Sequence, residues 1–277
     1  MSTATTLALK KSYLERDMQS PDLIDVCGGQ VAGLCRRCPG KTEPNDDSAA
    51  VLQTASGAVV LVVADGVGGA PLGHKASAIA VESVIDRVEM ADPSSDLRPA
   101  ILDGIEQANR DILELGIGAA TTIAIVEVKD RVARAYQVGD SVTLVIGQRG
   151  AIKWKSTSHS PVGYAIESGL LDEAEAIHHE QLHVVSNLVG CRSMHIDVGP
   201  SQPLAARDTV IVASDGLSDN LHLDEIVRFG RSGKLPGRIG KLAQLTSDRM
   251  SLDEPGAPGK PDDLTLLMYT PSYSSSK

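Results

Sequence analysis

The chain has 277 residues, 42% of them hydrophobic and 22% charged, a globular composition that excludes a disordered, collagenous or low-complexity protein. Its 26 Lys and Arg stand against 36 Asp and Glu, a formal charge of −10, so nucleic acid and anionic membranes are poor partners and carboxylates are in surplus. One Trp and one Phe leave the core to Ala, Val, Leu and Ile and provide no aromatic platform for stacked bases.

No apolar run approaches the roughly 18 to 20 residues of a membrane helix, and the start MSTATTLALKKSYLERDMQS lacks a leader's apolar stretch and cleavage site. A cytoplasmic location is expected. Cys27, Cys35, Cys38 and Cys191 form no dense framework. Cys35 and Cys38 make a CxxC, but no second CxxC or nearby His pair accompanies it, so the four read as reduced thiols.

In chain order, the polar first 20 or so residues and the tail PSYSSSK read as flexible ends of a single domain, 1–277, with its core at about 22–271. The run Ala58 to Ala64 reads as a strand. Two helical patterns follow: His74 to Met90, with Ala76, Ile79, Ala80, Val84 and Val88 on one stripe, and Leu97 to Leu115, with Leu97, Ile101, Ile105, Ala108, Ile112 and Leu115 on another. Strands are then expected at Thr121 to Val128, Val132 to Val138, Val142 to Ile146 and Thr209 to Ala213, helices near 223–231 and 235–250, a loop over SLDEPGAPGKP at 251–261, and a strand at Leu264 to Tyr269. Turn signals such as VKDR and GQRG between successive strands indicate antiparallel hairpins, hence an α+β class with sheets inside and helices outside.

The aspartates fall at the mouths of apolar strands. Asp65 ends VVLVVAD, Asp140 follows AYQVG, Asp215 ends TVIVASD and Asp262 precedes LTLLMY, so four acids are expected to converge on a sheet edge. Asp46 and Asp47 add an adjacent pair in PNDDSAAVL. One Asp at a strand end is ordinary turn chemistry, but a cluster of like charges needs protons or cations to be tolerated. Gly66 and Gly216 follow two of these acids and permit tight turns against a bound ion. Oxygen ligands without Cys or His suit Mg²⁺ or Mn²⁺ better than Zn²⁺.

The ordered motifs PNDD, VVADGVGG, GAATTIAIV, YQVGDS, VASDGLSDN and PDDLTLL, spread over about residues 40–270, resemble the metal-dependent protein serine/threonine phosphatases of the 2C type. The resemblance implies a four-layer sandwich, two central mostly antiparallel β-sheets flanked by helix pairs, and a centre holding two Mn²⁺ or Mg²⁺ ions with a third, weaker one. It makes Asp65 the bridging ligand, Gly66 a carbonyl ligand, Asp215 and Asp262 the remaining ligands of the first metal, and Asp140 an acid of the third. Asp46 and Asp47 match the pair that holds metal-bound waters, with Asp46 where the family more often has Glu, and Asp263 stands at the family's usual Asn.

Three departures stand out. The expected phosphate-binding Arg is Thr42, leaving Lys41, Arg36 or Arg37 as substitutes; the Asp-His-Ser segment reads Ser158-His159-Ser160; and the His that follows Asp-Gly in many eukaryotic members is Val67, where bacterial members commonly carry an apolar residue. His178, His179 and His183 read as part of a charged flap over about 161–187 and His159 as structural, since no acid neighbours it in sequence. DGVGGAPLGHKAS is no phosphate loop, and Ser214 and Ser218 lack a GxSxG elbow.

The expected function is therefore hydrolysis of phosphoserine and phosphothreonine on proteins, opposing a serine/threonine kinase, by a water or hydroxide activated at the two-metal centre. Asp46, Asp47 and Asp65 are assigned to catalysis and Lys41 to phosphate, and the general acid is left between His159 and a metal-bound water. The alternatives are a pseudophosphatase that binds a phosphoprotein, suggested by Thr42 and Asp46, and a metal phosphoesterase acting on a small metabolite.

Overall fold

The computed structural model describes residues 7–92, 94–251 and 258–272. The middle of the expected 251–261 loop and the last residues of the tail lie outside them.

The first segment contains strands β1 (Leu7–Leu14), β2 (Asp22–Val26), β3 (Gly29–Arg36), β4 (Asp47–Thr54) and β5 (Val59–Asp65), then helices α1 (Gly73–Met90) and α2 (Arg98–Glu114). Strands β6 (Ile123–Lys129), β7 (Val132–Val138), β8 (Val142–Ile146) and β9 (Ile152–Lys155) follow, with the short helices α3 (Pro161–Glu167) and α4 (Glu173–Ala176) after them. The last third carries β10 (Asp197–Val198), β11 (Gln202–Pro203), β12 (Thr209–Ala213), α5 (Asp215–Ser218), α6 (Leu223–Gly230), α7 (Leu235–Ser251) and β13 (Leu264–Pro271).

These strands form two antiparallel sheets. One runs β1–β4–β5–β6–β7–β10 with β11 also on β7, and the other runs β2–β3–β13–β12–β8–β9. β5 shows why they stack. Its alternating residues divide between two cores: Val60, Val62 and Ala64 face α1 and α2, while Val59, Leu61 and Val63 face the second sheet. An almost wholly apolar strand needs cover on both faces, and here it has it. On the far side Leu144, Ile211 and Met268 of the second sheet pack under α6 and α7 through Ile226, Ile239 and Leu242. The layers are thus helix, sheet, sheet, helix, as the resemblance implies.

The helical stripes hold, with Ala76, Ala80, Val84, Val88, Ile101, Ile105 and Ile112 buried; Leu115 lies past the end of α2 and is 37% exposed. The N-terminal segment expected to be flexible instead forms β1, which pairs with β4 from Leu7 opposite Thr54 to Leu14 opposite Ser48 and sends Tyr13 into the inter-sheet core. Its LALKKSYL pattern hides the strand because an edge strand tolerates, and gains protection from, exposed lysines. All four cysteines are unpaired; Cys35 is buried, which pushes its thiol up to about 12.

Candidate metal centre

β4 and β5 set Asp47 directly opposite Asp65. From the second sheet, Ser214 at the end of β12 donates its hydroxyl to Asp47 Oδ2 at 2.7 Å and accepts from Thr265 N at 2.9 Å, tying β4 to β12 and β13 at the point where Asp215 and Asp262 emerge. Asp140 enters from the β7–β8 connection, which passes from one sheet to the other. The acids therefore do not line the edge of one sheet: β5 and β12 are interior strands, and the carboxylates gather at one end of the sandwich where stacked sheets bring strand ends together.

Burial pushes Asp47, Asp65 and Asp140 well above the usual carboxylate range, and neighbouring carboxylates push them further: Asp263 acts on Asp47, Asp47 and Asp215 on Asp65, and Asp215 and Asp219 on Asp140. Asp215 and Asp262 are raised as well, first by burial and then by Asp219 and Asp215 respectively. Asp47 Oδ1 and Asp215 Oδ1 are buried without a hydrogen-bond partner. Buried polar atoms are seldom left so, and an all-oxygen set in which carboxylates outnumber cations fits hard divalent ions such as Mn²⁺ and Mg²⁺.

The two glycines matter through close approach rather than positive φ. A Cβ on Gly66 would stand 2.3 Å from Gly73 O and 2.8 Å from Asp46 O, and one on Gly216 would stand 2.0 Å from Asp263 O. Each lets a second segment press against the chain beside an acid.

Residues 36–235 match the description protein phosphatase 2C. The chain belongs to the protein phosphatase 2C family. It is 27% identical over 184 residues to the protein phosphatase PhpP of Streptococcus pneumoniae, covering 62% of this chain and 72% of that one. The serine/threonine phosphatase of S. agalactiae superposes with a TM-score of 0.75 at 25% identity, over 88% of this chain and 100% of that one. The catalytic domain of the serine/threonine protein phosphatase PstP, in complex with 2 manganese ions, shares the fold at a TM-score of 0.71 and 18% identity, over 88% of this chain and 98% of that one.

In this 2C-type chain Asp46 stands at a bend just before β4 and takes partners other than those of Asp47. Its Oδ1 accepts from His74 N at 2.8 Å at the start of α1, and its Oδ2 accepts from the Lys41 ammonium at 2.7 Å. Lys41 also donates to Asp263 Oδ2 at 2.5 Å, and the buried Asp263 carboxylate accepts in addition from Asp46 N and Cys38 N, both at 2.7 Å. Acid and base thus stand together: the extra charge at the family's Asn position is met by Lys41. Burial alone would lower Lys41, but Asp263 and Asp46 more than offset it and raise the ammonium. Of the other substitutes for the missing Arg, Arg36 donates to Met18 O and Gln19 O, and Arg37 to Asp17 and to the Thr42 and Glu43 carbonyls.

The sequence reading missed two residues. Asp219 is buried and, with Asp215, contacts the Lys260 ammonium, which lies 2.7 Å from Asp215, 3.0 Å from Asp219 and 2.9 Å from Asp262. The four-residue spacing of Asp215 and Asp219, which stacks side chains on one helical face, was a usable signal. Nothing local marks Lys260. Burial would lower it, yet the three carboxylates raise it strongly.

His159 makes its contacts outside this cluster of acids. It is fully buried; Nδ1 accepts from Gly139 N at 3.1 Å and faces Asn187 Nδ2 at 2.7 Å, and Nε2 meets Asp197 Oδ2 at 3.1 Å. An acid does orient it, one that sequence proximity could not reveal. Ligand atoms of His159, His195 and Asp197 lie within 4.8 Å of one another, but a cation there would have to break these bonds to reach the His159 ring. Of the flap histidines, His183 approaches Asp219 at 3.6 Å, which raises its pKa, and His178 packs edge-on to His222 at 6.4 Å.

The 161–187 flap begins with α3, capped by Ser160, and Lys155 pairs with Glu173 of α4. Beneath it a cleft of about 1060 Å³ is walled by Val162, Ile166 and Leu182 and reaches Asp140, Asp215 and Asp219. No helix among the described residues is long and apolar enough to cross a membrane.

Proposed function

We propose that this chain, acting as one domain, hydrolyses phosphoserine and phosphothreonine esters on proteins and so opposes a serine/threonine kinase. The observation that carries the reading is the set of raised carboxylates with two buried, unpartnered oxygens at the mouth of a cleft, in a chain of the protein phosphatase 2C family. Two divalent cations, Mn²⁺ or Mg²⁺, would lower the pKa of a water there toward neutrality and offset phosphoryl charge. Asp65 would be shared between them, Asp47, Asp215, Asp262 and the Gly66 carbonyl would supply the other donors, and Asp140 would hold a third, weaker ion.

The protein's own groups bind, orient and move protons. Asp47, with Oδ1 left without a partner, would accept a hydrogen of the attacking water and fix its direction, while Asp46, whose oxygens take His74 N and the Lys41 ammonium, acts by orienting Lys41. Lys41 spends two of its three donors on Asp46 and Asp263 and presents the third to a phosphoryl oxygen. His159 is no general acid, because it is buried with both ring nitrogens engaged. The flap, with Leu170 84% exposed, contacts the polypeptide around the phosphoresidue.

The test is release of phosphate from a phosphothreonine peptide, with and without Mn²⁺. Mn²⁺-dependent turnover is expected. Binding of Mn²⁺ without turnover of any phosphoester would instead indicate a pseudophosphatase, and faster turnover of a small phosphometabolite than of any phosphopeptide would indicate a metabolite phosphoesterase.

A further inference from the structure

The acidic centre is unequal in its two halves. On the first sheet's side Asp47 and Asp65 meet no ammonium among the described residues, and Asp47 Oδ1 has no partner. On the second sheet's side the Lys260 ammonium touches Asp215, Asp219 and Asp262 at once. That contact is built into the backbone. Lys260 N donates to Asn220 Oδ1 at 2.8 Å, Lys260 O accepts from Asn220 Nδ2 at 2.9 Å, and the same amide donates to Gly216 O at 2.9 Å. Asn220 is fully buried. One side chain thus clamps the turn that carries Asp215 and Asp219 to the segment that carries Lys260 and Asp262, and the lysine's origin is held against the carboxylates it reaches.

We propose that Lys260 is a tethered counter-cation for this half of the centre, holding Asp215, Asp219 and Asp262 together while no divalent ion is bound and competing with the ion that takes them. The proposal rests on the metal-dependent reading above. It follows that the two halves bind divalent ions with different affinities: the Asp47–Asp65 side fills first, and the Asp215–Asp262 side fills only as the ammonium withdraws.

The full chain is stripped with chelator, titrated with Mn²⁺ by calorimetry, and unfolded thermally with and without saturating Mn²⁺. The parent should show a tighter and a weaker class of site. In Lys260→Met the weaker class should tighten by about tenfold, because three charge-assisted contacts no longer compete. Metal-free Lys260→Met should melt a few degrees below the metal-free parent, and the two should melt together once loaded; Lys260→Arg should stay near the parent in both measurements. Unchanged Mn²⁺ affinity in Lys260→Met overturns the proposal. So does a loss of stability that is equal with and without Mn²⁺, or failure to fold even in Mn²⁺, since either makes Lys260 an ordinary packing residue. A parent that binds Mn²⁺ but releases no phosphate overturns the phosphatase reading alone, and a parent that binds no Mn²⁺ overturns both.

Discussion

Two polar clusters are built into this sandwich, and they differ in how fully their atoms are satisfied. Around His159 both ring nitrogens have partners, the backbone exchanges bonds with Gly139 and Ser186, and the Asn187 amide closes on the His195 backbone from both sides. At the acidic centre Asp47 Oδ1 and Asp215 Oδ1 are buried and bare, and the carboxylates raise one another. A network with its bonds complete holds a fold in one shape; one left incomplete waits for a ligand. The first braces the start of the flap, and the second offers chemistry.

The sharpest way to break this comparison is Asp65→Asn. If Asp65 is shared between two cations as proposed, its loss should lower Mn²⁺-dependent hydrolysis by more than about a hundredfold while the metal-free protein stays folded. A variant that keeps a tenth of the rate would remove Asp65 from the centre. His159→Ala should do the reverse, destabilising the fold by about 2 to 4 kcal/mol in denaturant melts through a cavity and unsatisfied partners at Asn187 and Gly139. Its turnover per folded molecule should change little; a collapse of kcat with stability intact would give His159 a chemical role.

The two clusters should also respond to pH with opposite signs. The raised carboxylates cost the metal-free fold nothing below their ordinary value of 3.8, and the cost grows as pH rises through the folded-state values. His159 is held below its ordinary 6.5, first by burial, so its contribution is complete above 6.5 and is lost as pH falls. The gain in melting temperature on adding Mn²⁺ should therefore increase with pH, as the cations relieve the carboxylates. A gain independent of pH would mean that the acids are not the groups relieved.

Smaller effects are expected at the rim. Lys41→Ala should raise KM for a phosphopeptide by about tenfold, the worth of one charge-assisted hydrogen bond, and Thr42→Arg should lower it by supplying a bidentate donor. If neither moves KM, no side chain at this rim holds phosphate. Smallest of all, Leu170→Asp on the flap should alter KM for phosphopeptides by roughly threefold, within the reach of one apolar contact, and leave a small aryl phosphate untouched. Equal effects on both substrates would return the flap to a structural role.

Much of the fold was legible in the chain because its interior strands are apolar on both faces and its long helices carry one clean stripe. Those are local periodicities, and burial on both sides enforces them regardless of what lies further along. The placing of Asp65, Asp140 and Asp215 after such runs, and of Asp262 before one, was readable for the same reason. The edge and half-exposed strands β1, β2 and β9 were not, since charged and polar residues are acceptable there and blur the alternation, and neither were the interior strands β3 and β4, whose GQVAGLCR and DSAAVLQT runs are diluted by Gly, Ala and polar residues. Nor could the sequence separate Asp46 from Asp47, pair Lys41 with Asp263 across 222 positions, supply Asp197 to His159, or seat Lys260 on three carboxylates. These are contacts between segments far apart in the chain, brought together by strand pairing at the β3–β13 and β13–β12 ends and, for His159 and Asp197, by the meeting of the two sheets; an ion pair or hydrogen bond leaves no periodic trace in the residues on either side of it.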